Sequence, residues 1–330
     1  MRAAAGTLSN WPSTRSSAWL LVALSIALLS SPIACLAAAN SFLLVVSGIG
    51  GEPAYSERFA SWSTTLIEAA QSRMHMPRDR IVYLAENVTE GVDGRSTSEA
   101  IGDAIGRLSK QAGAGDTIFV VLIGHGTARG DRLLFNVPGP DLSAESLAAL
   151  LAPHDDFRWI VVDTSPSSGP FASVLAAPNR VIVTATSNAT ERFHTVFAEH
   201  FVAAYAGDGA DTDKDGRISA LEAFEFARRE VERSYTAEGR LQSEHARIVD
   251  VGNIARSSFL ESDHSLYASG LPADELERLL AERDALEQRI EHLIATKDTT
   301  SAESYDDKLE ALLVEMALVH RALRAPVTKQ

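Results

Sequence analysis

The chain has 330 residues, 45% of them hydrophobic and 22% charged. That balance belongs to a globular protein with a well-buried core and excludes a low-complexity or disordered chain. The formal net charge of −14 argues against nucleic acid and anionic membrane surfaces as partners, because both demand positive potential.

The chain opens with Arg2 and Arg15, followed by an apolar run from Ala18 to Leu29. Such a run is too short for a bilayer core of ~30 Å. Ser30, Ser31 and Pro32 break it, and small residues follow in Cys35-Leu36-Ala37-Ala38-Ala39. This is the pattern of a secretory signal with an A-x-A site, so residues 1–39 are expected to be removed after Ala39 and the protein exported, to the periplasm or beyond. A rival reading makes Cys35 an acylated N-terminus, a lipoprotein anchor, although Pro32 stands where that signal prefers leucine. In both readings Cys35, the single cysteine, is no nucleophile, and nothing after it can form a disulfide.

Beyond the leader, five apolar runs read as strands: Ser41–Ser47, Arg80–Glu86, Asp116–Gly124, Phe157–Asp163 and Arg180–Ser187. They are continuous rather than alternating, as in parallel strands covered on both faces. Helical patterns lie between them over Glu57–Met74, Ser96–Gln111 and Ser143–Leu151. Ser143 is placed to cap the last of these, and Glu145 puts a negative charge in its first turn. The alternation predicts an α/β domain over residues 40–260, a mostly parallel sheet with helices on both faces. Ligands of such sheets sit beyond the carboxyl ends of the strands. Two of those ends carry chemistry, Gly124-His125-Gly126 and Asp163-Thr164-Ser165-Pro166-Ser167-Ser168-Gly169.

These two strand ends resemble the legumain-type cysteine peptidases of caspase-like fold. The segment VVLIGHGTARGDRLLFN, Val120 to Asn136, is similar to the family's strand, His-Gly pair and returning strand. IVVDTSPSSGPF, Ile160 to Phe171, is similar to its nucleophile strand, and the glycine-rich Val45–Gly51 to its first strand and loop. The resemblance covers roughly Ser41 to Tyr205. It implies that His125 is the histidine that deprotonates a thiol, with the Gly126 N–H in the oxyanion hole. Anchored on Ser168-Gly169, the nucleophile position falls on Pro166, which offers neither a thiol nor a backbone N–H. Loss of one oxyanion donor alone costs about 2.7–4 kcal/mol of transition-state stabilisation. Ser165, Ser167 and Ser168 flank the proline, and Ser165 reaches the register if the loop is shifted by one. Asp163 reads as structural, and His194 and His200 as surface or packing residues.

A separate motif follows. Asp211-Thr212-Asp213-Lys214-Asp215-Gly216-Arg217-Ile218-Ser219-Ala220-Leu221-Glu222 fits an EF-hand calcium loop. Asp211, Asp213 and Asp215 supply carboxylates at positions 1, 3 and 5, Gly216 the sharp turn, and Arg217 its backbone carbonyl. Ser219 acts through a water and Glu222 closes the shell as a bidentate ligand. Hard oxygen donors without His or Cys select calcium over zinc or copper. Flanking helical runs extend the motif over 198–234. No second such loop exists in the chain, so its pairing is intermolecular, replaced by other packing, or absent.

Over 271–325 the chain turns charged and helical. Leu276, Leu279, Leu286, Ile290 and Leu293, then Leu309, Leu312, Met316, Val319 and Leu323, recur at three- and four-residue spacing. Two amphipathic helices form a hairpin or coiled coil, with Arg283 interrupting the first seam. The hairpin either binds a partner or another copy, or packs on its own domain. The residues as a whole predict an exported calcium-binding protein on a legumain-like scaffold, non-catalytic because Pro166 fills the nucleophile position. The alternative is a hydrolase that uses a loop serine with His125.

Overall fold

The computed structural model describes residues 40–129, 132–214, 216–260, 271–295 and 302–323. The leader, Cys35 and Asp215 lie outside the described residues. No described helix is long and apolar enough to cross a membrane.

The main sheet has seven strands: β1 (Ser41–Ser47), β2 (Ile81–Ala85), β3 (Gly94–Arg95), β4 (Thr117–Ile123), β8 (Arg158–Asp163), β9 (Arg180–Thr184) and β10 (Arg247–Asp250). Their order is β10-β9-β8-β4-β1-β2-β3, and every neighbouring pair is parallel except β10 with β9. A smaller antiparallel sheet joins β5 (Gly126–Arg129), β6 (Arg132–Phe135) and β7 (Leu142–Ser143) beyond the end of β4.

Burial on both faces explains the unbroken apolar runs. Leu43, Val45, Tyr83, Phe119 and Val121 face one core, with helices α1 (Pro53–Ser72), α5 (Phe197–Ala206) and α6 (Ala220–Ala237). Phe42, Leu44, Val46, Val120 and Trp159 face the other, with α2 (Ser98–Gln111), α3 (Ala144–Leu151) and the short α4 (Phe171–Leu175). Successive strand residues point to opposite faces, so both parities must be apolar.

Local chemistry sets the helix starts. Thr97 accepts from the Ala100 N–H and Ser143 from the Ser146 N–H, each satisfying a donor that the first turn leaves open. Helix α1 begins at Pro53, four residues ahead of its expected start, because proline's fixed φ suits the first turn. Helix α5 has no local side-chain cap. Glu244 supplies it from 47 residues away, accepting from the N–H groups of Val196 (2.8 Å) and Phe197 (3.2 Å). Burial pushes that carboxyl up to about 7.

Helices α7 (Ala273–Ala295) and α8 (Ala302–Leu323) pack on each other through the expected leucine stripes, joined by Leu280 and Tyr305. Arg283 is buried within this hairpin, donating to Asp284 at 2.6 and 3.0 Å and lying 3.6 Å from Glu287. The seam therefore tolerates an arginine because carboxylates on the same helix meet it.

Candidate functional site

Strand order reverses at β1, with β2 on one side and β4 on the other, and a crevice opens at such a switch point. Gly48 ends β1 and donates to the Ile123 carbonyl (2.9 Å). A Cβ on Gly124 would lie 3.1 Å from the Gly48 Cα and 2.9 Å from the Phe135 ring, so the two strand ends close up only as glycines. This junction delivers His125, whose carbonyl accepts from the Asn136 N–H at 2.9 Å.

The His125 ring sits edge-on to Tyr55 (centroids 4.8 Å apart) and to Phe59 (5.1 Å), both from α1. Half-burial pushes its pKa below the ordinary value, and a backbone hydrogen bond at Gly50 and the charge of Glu52 oppose that shift. The imidazole is therefore neutral at neutral pH, the form that can accept a proton. Tyr55 also meets His194 (5.0 Å), whose Nε2 accepts from the Arg58 guanidinium at 3.0 Å. Burial, then the charges of Arg58 and His125, push His194 down to about 4. The sequence reading missed Tyr55, Arg58 and Phe59, which form one helical face toward the crevice, and it left His194 as surface or packing.

The loop after β8 forms the opposite wall. Asp163 is fully buried, and one of its oxygens accepts from the Ser165 N–H (3.0 Å) and hydroxyl (2.6 Å). Thr164 ties the loop to the Leu122 carbonyl (2.9 Å), and Thr195 ties it to the 187–195 segment through the Thr164 carbonyl (2.7 Å). Ser168 and Gly169 both meet the Thr186 hydroxyl, at 3.2 and 2.9 Å.

Ser165 brings its side chain to Gly126. A Cβ added to Gly126 would lie 2.4 Å from the Ser165 Oγ and 2.4 Å from the Pro166 carbonyl oxygen, so Pro166 approaches Gly126 through its backbone. Between the proline and Ser168, Ser167 takes a left-handed conformation (φ 62°). All three loop serines are buried, and His125 and Ser165 share no hydrogen bond among the described residues.

Burial pushes Asp163 up to about 6, against the pull of the Ser165 hydrogen bonds. The sign follows from linkage: with the folded pKa above the ordinary value of 3.8, the folded state binds the proton more tightly. The group's contribution is most favourable below about pH 4 and is lost as pH rises to about 6. Asp163→Asn should flatten stability over that window by on the order of 3 kcal/mol, measured by urea unfolding at successive pH values. An unchanged pH slope would place the titration elsewhere.

The acidic loop lies between α5 and α6. Carboxylate oxygens of Asp211, Asp213 and Glu222 fall within 4.8 Å of one another. Gly216 makes the turn at φ 85° and donates to Asp211 Oδ2 (3.1 Å). The other oxygen of Asp211 is buried without a hydrogen-bond partner among the described residues. Glu222 caps α6 reciprocally with Ser219 and also accepts from the Thr212 N–H (2.8 Å) and hydroxyl (2.9 Å). A clustered, hard-oxygen donor set with an unsatisfied buried carboxylate oxygen fits a divalent cation such as calcium.

The exit of the loop is paired within the chain. Ser219 bridges Phe259 in antiparallel fashion, and the Ala220 N–H donates to the Ser258 carbonyl at 2.8 Å. Ile218 packs in the core, and the Arg217 guanidinium stacks 3.4 Å over the Phe259 ring and faces Glu287 of α7 at 3.6 Å. Of the pairings the motif left open, the segment 258–259 provides the one within the chain.

The profile of the Peptidase C13 family matches residues 83–251, just over half of the chain. Both strand ends of the crevice and the acidic loop fall inside that segment, and β1 falls outside it. Among solved structures the chain is similar to the crystal structure of drICE, at 9% identity and a TM-score of 0.40, over 64% of this chain and 88% of that one. No curated protein matches the chain.

Proposed function

We propose, from the premise that the chain belongs to the Peptidase C13 family, that it is an exported calcium-binding member that does not cleave peptides and acts by binding or assembly. One observation carries the non-catalytic reading: the hydroxyl that faces Gly126 is Ser165, and it donates to Asp163 at 2.6 Å instead of to His125. A serine hydroxyl attacks only when a base takes its proton in a productive geometry, commonly a histidine that a carboxylate orients. Here the carboxylate holds the serine, and His125 lies against aromatic rings. The single cysteine, Cys35, belongs to the leader pattern, so no thiol serves the crevice.

The calcium reading rests on Asp211, Asp213 and Glu222 together with the loop spacing, which adds Asp215 and the Arg217 carbonyl to the ligand set. Such a site holds the α5–loop–α6 unit together, a structural role more than a sensing one.

A second reading, hydrolysis through Ser165 with His125, draws on the closeness of the Ser165 oxygen to Gly126. One experiment separates the two. The folded chain is treated with a serine-reactive fluorophosphonate and with peptides carrying Asn or Asp at the scissile position, and adducts are mapped by mass spectrometry. We expect no loop adduct and no turnover. Labelling of Ser165 that disappears in His125→Ala would establish the hydrolase and sink the non-catalytic reading.

A further inference from the structure

Helix α8 carries two stripes. The inner one, Tyr305, Leu309, Leu312, Met316, Val319 and Leu323, packs against α7. The outer one, Asp307, Ala311, Val314, Leu318 and Arg321, is exposed along its whole length and repeats at four- and three-residue spacing. That spacing keeps all five residues on one helix face, the pattern of a helix with a second seam. Val314 and Leu318 are 54% and 59% exposed, and Leu313 beside them 51%. On α7, by contrast, Arg278 pairs with Glu282, and Arg289 with Glu315 of α8, each at 3.0 Å.

The outer stripe is self-complementary. It begins with an acid, ends with a base, and is apolar between, and neither Asp307 nor Arg321 makes an ion pair among the described residues. We propose that a second copy of this chain packs on this face, α8 against α8, antiparallel about a two-fold axis at Val314. Seven residues separate Val314 from Asp307 and seven separate it from Arg321. The two-fold therefore sets Asp307 of each copy against Arg321 of the other, twice, as an isologous contact requires. A parallel pairing would instead set Asp307 against Asp307. The small Ala285 and Ala311 leave an open groove between α7 and α8 beside the stripe, and the two-fold brings Leu318 of the second copy level with Glu310, one residue from Ala311 at the groove's edge.

The stripe is about 21 Å long at 1.5 Å per residue. One helix crossing of that length is small against the roughly 800 Å² per partner of a standard stable interface. The dimer is accordingly a reversible, concentration-dependent one. The net charge of −14 opposes it at low salt, where repulsion reaches beyond the contact.

Sedimentation velocity of the full chain at physiological salt over a concentration series tests this, with far-UV circular dichroism as a check on the helices. Wild type should show a monomer–dimer equilibrium, and Leu318→Glu should be monomeric throughout. Asp307→Arg and Arg321→Asp should each raise the dissociation constant about tenfold, since each creates two like-charge contacts per dimer. The double variant, and an equimolar mixture of the two single variants, should return to near the wild-type constant. Monomeric wild type at every concentration, an unchanged Leu318→Glu, or a double variant as weak as its parents would overturn the proposal.

Discussion

Near-millimolar calcium should raise the unfolding temperature of the protein, and Glu222→Gln should remove most of that rise. A ligand of the folded state alone stabilises it by RT ln(1 + [L]/Kd), about 1.4 kcal/mol at ten times Kd. The near-millimolar range follows from a single loop whose exit pairs with 258–259 instead of with a second calcium loop. Magnesium should substitute poorly, because it dehydrates reluctantly and demands octahedral geometry.

Glu222 is buried and already accepts from Thr212 and Ser219, so its replacement also lowers stability without calcium, by about 2 kcal/mol. Each variant is therefore compared with its own calcium-free melt. Asp211→Asn should blunt the response, and His125→Ala should leave it intact. Burial pushes the Glu222 carboxyl up, but its hydrogen bonds outweigh burial and hold it below the ordinary value of 4.5. Its stabilising effect is thus present above pH 4.5 and lost as pH falls through the lower folded pKa, and calcium affinity fades as protons compete for the ligands. Equal thermal shifts in wild type and Glu222→Gln would remove the loop as the calcium site.

Gly169→Ala should be among the most damaging single-methyl changes in the domain. Its Cβ would sit 2.3 Å from the Ser187 carbonyl carbon and 2.4 Å from the Asn188 nitrogen, both backbone atoms that cannot rotate away. Overpacking against a rigid neighbour costs about 3 kcal/mol. The loop after β8 would separate from the 187–195 segment, carrying Ser165 away from Gly126. Gly126→Ala meets the Pro166 carbonyl and the Ser165 hydroxyl, both at 2.4 Å, and should cost a similar amount. Gly106, inside α2 with nothing within 4 Å of its Cβ, is the control, and Gly106→Ala should stabilise by about 0.5 kcal/mol. Urea unfolding of the three variants ranks them, and a Gly169→Ala as stable as wild type would refute the close packing of these loops.

The order of the elements was readable from the residues alone because each signal is local. Both parities of β1, β4 and β8 are apolar, Ser143 precedes its helix, and the acidic loop keeps its glycine and closing glutamate at fixed offsets. Strand β10 was not readable: its four residues are exposed or half-buried, and only the β9 edge makes them a strand. The Glu244 cap on α5 and the pairing of the calcium-type loop with 258–259 join residues tens of positions apart, beyond any periodicity. Which loop atoms lie against Gly126 was also legible only in three dimensions. Spacing counted back from Ser168-Gly169 lands on Pro166, and the folded loop sets both the Pro166 carbonyl and the Ser165 hydroxyl against Gly126. A sequence counts positions along the chain, and which side chain reaches a neighbouring strand end depends on backbone angles that counting does not contain.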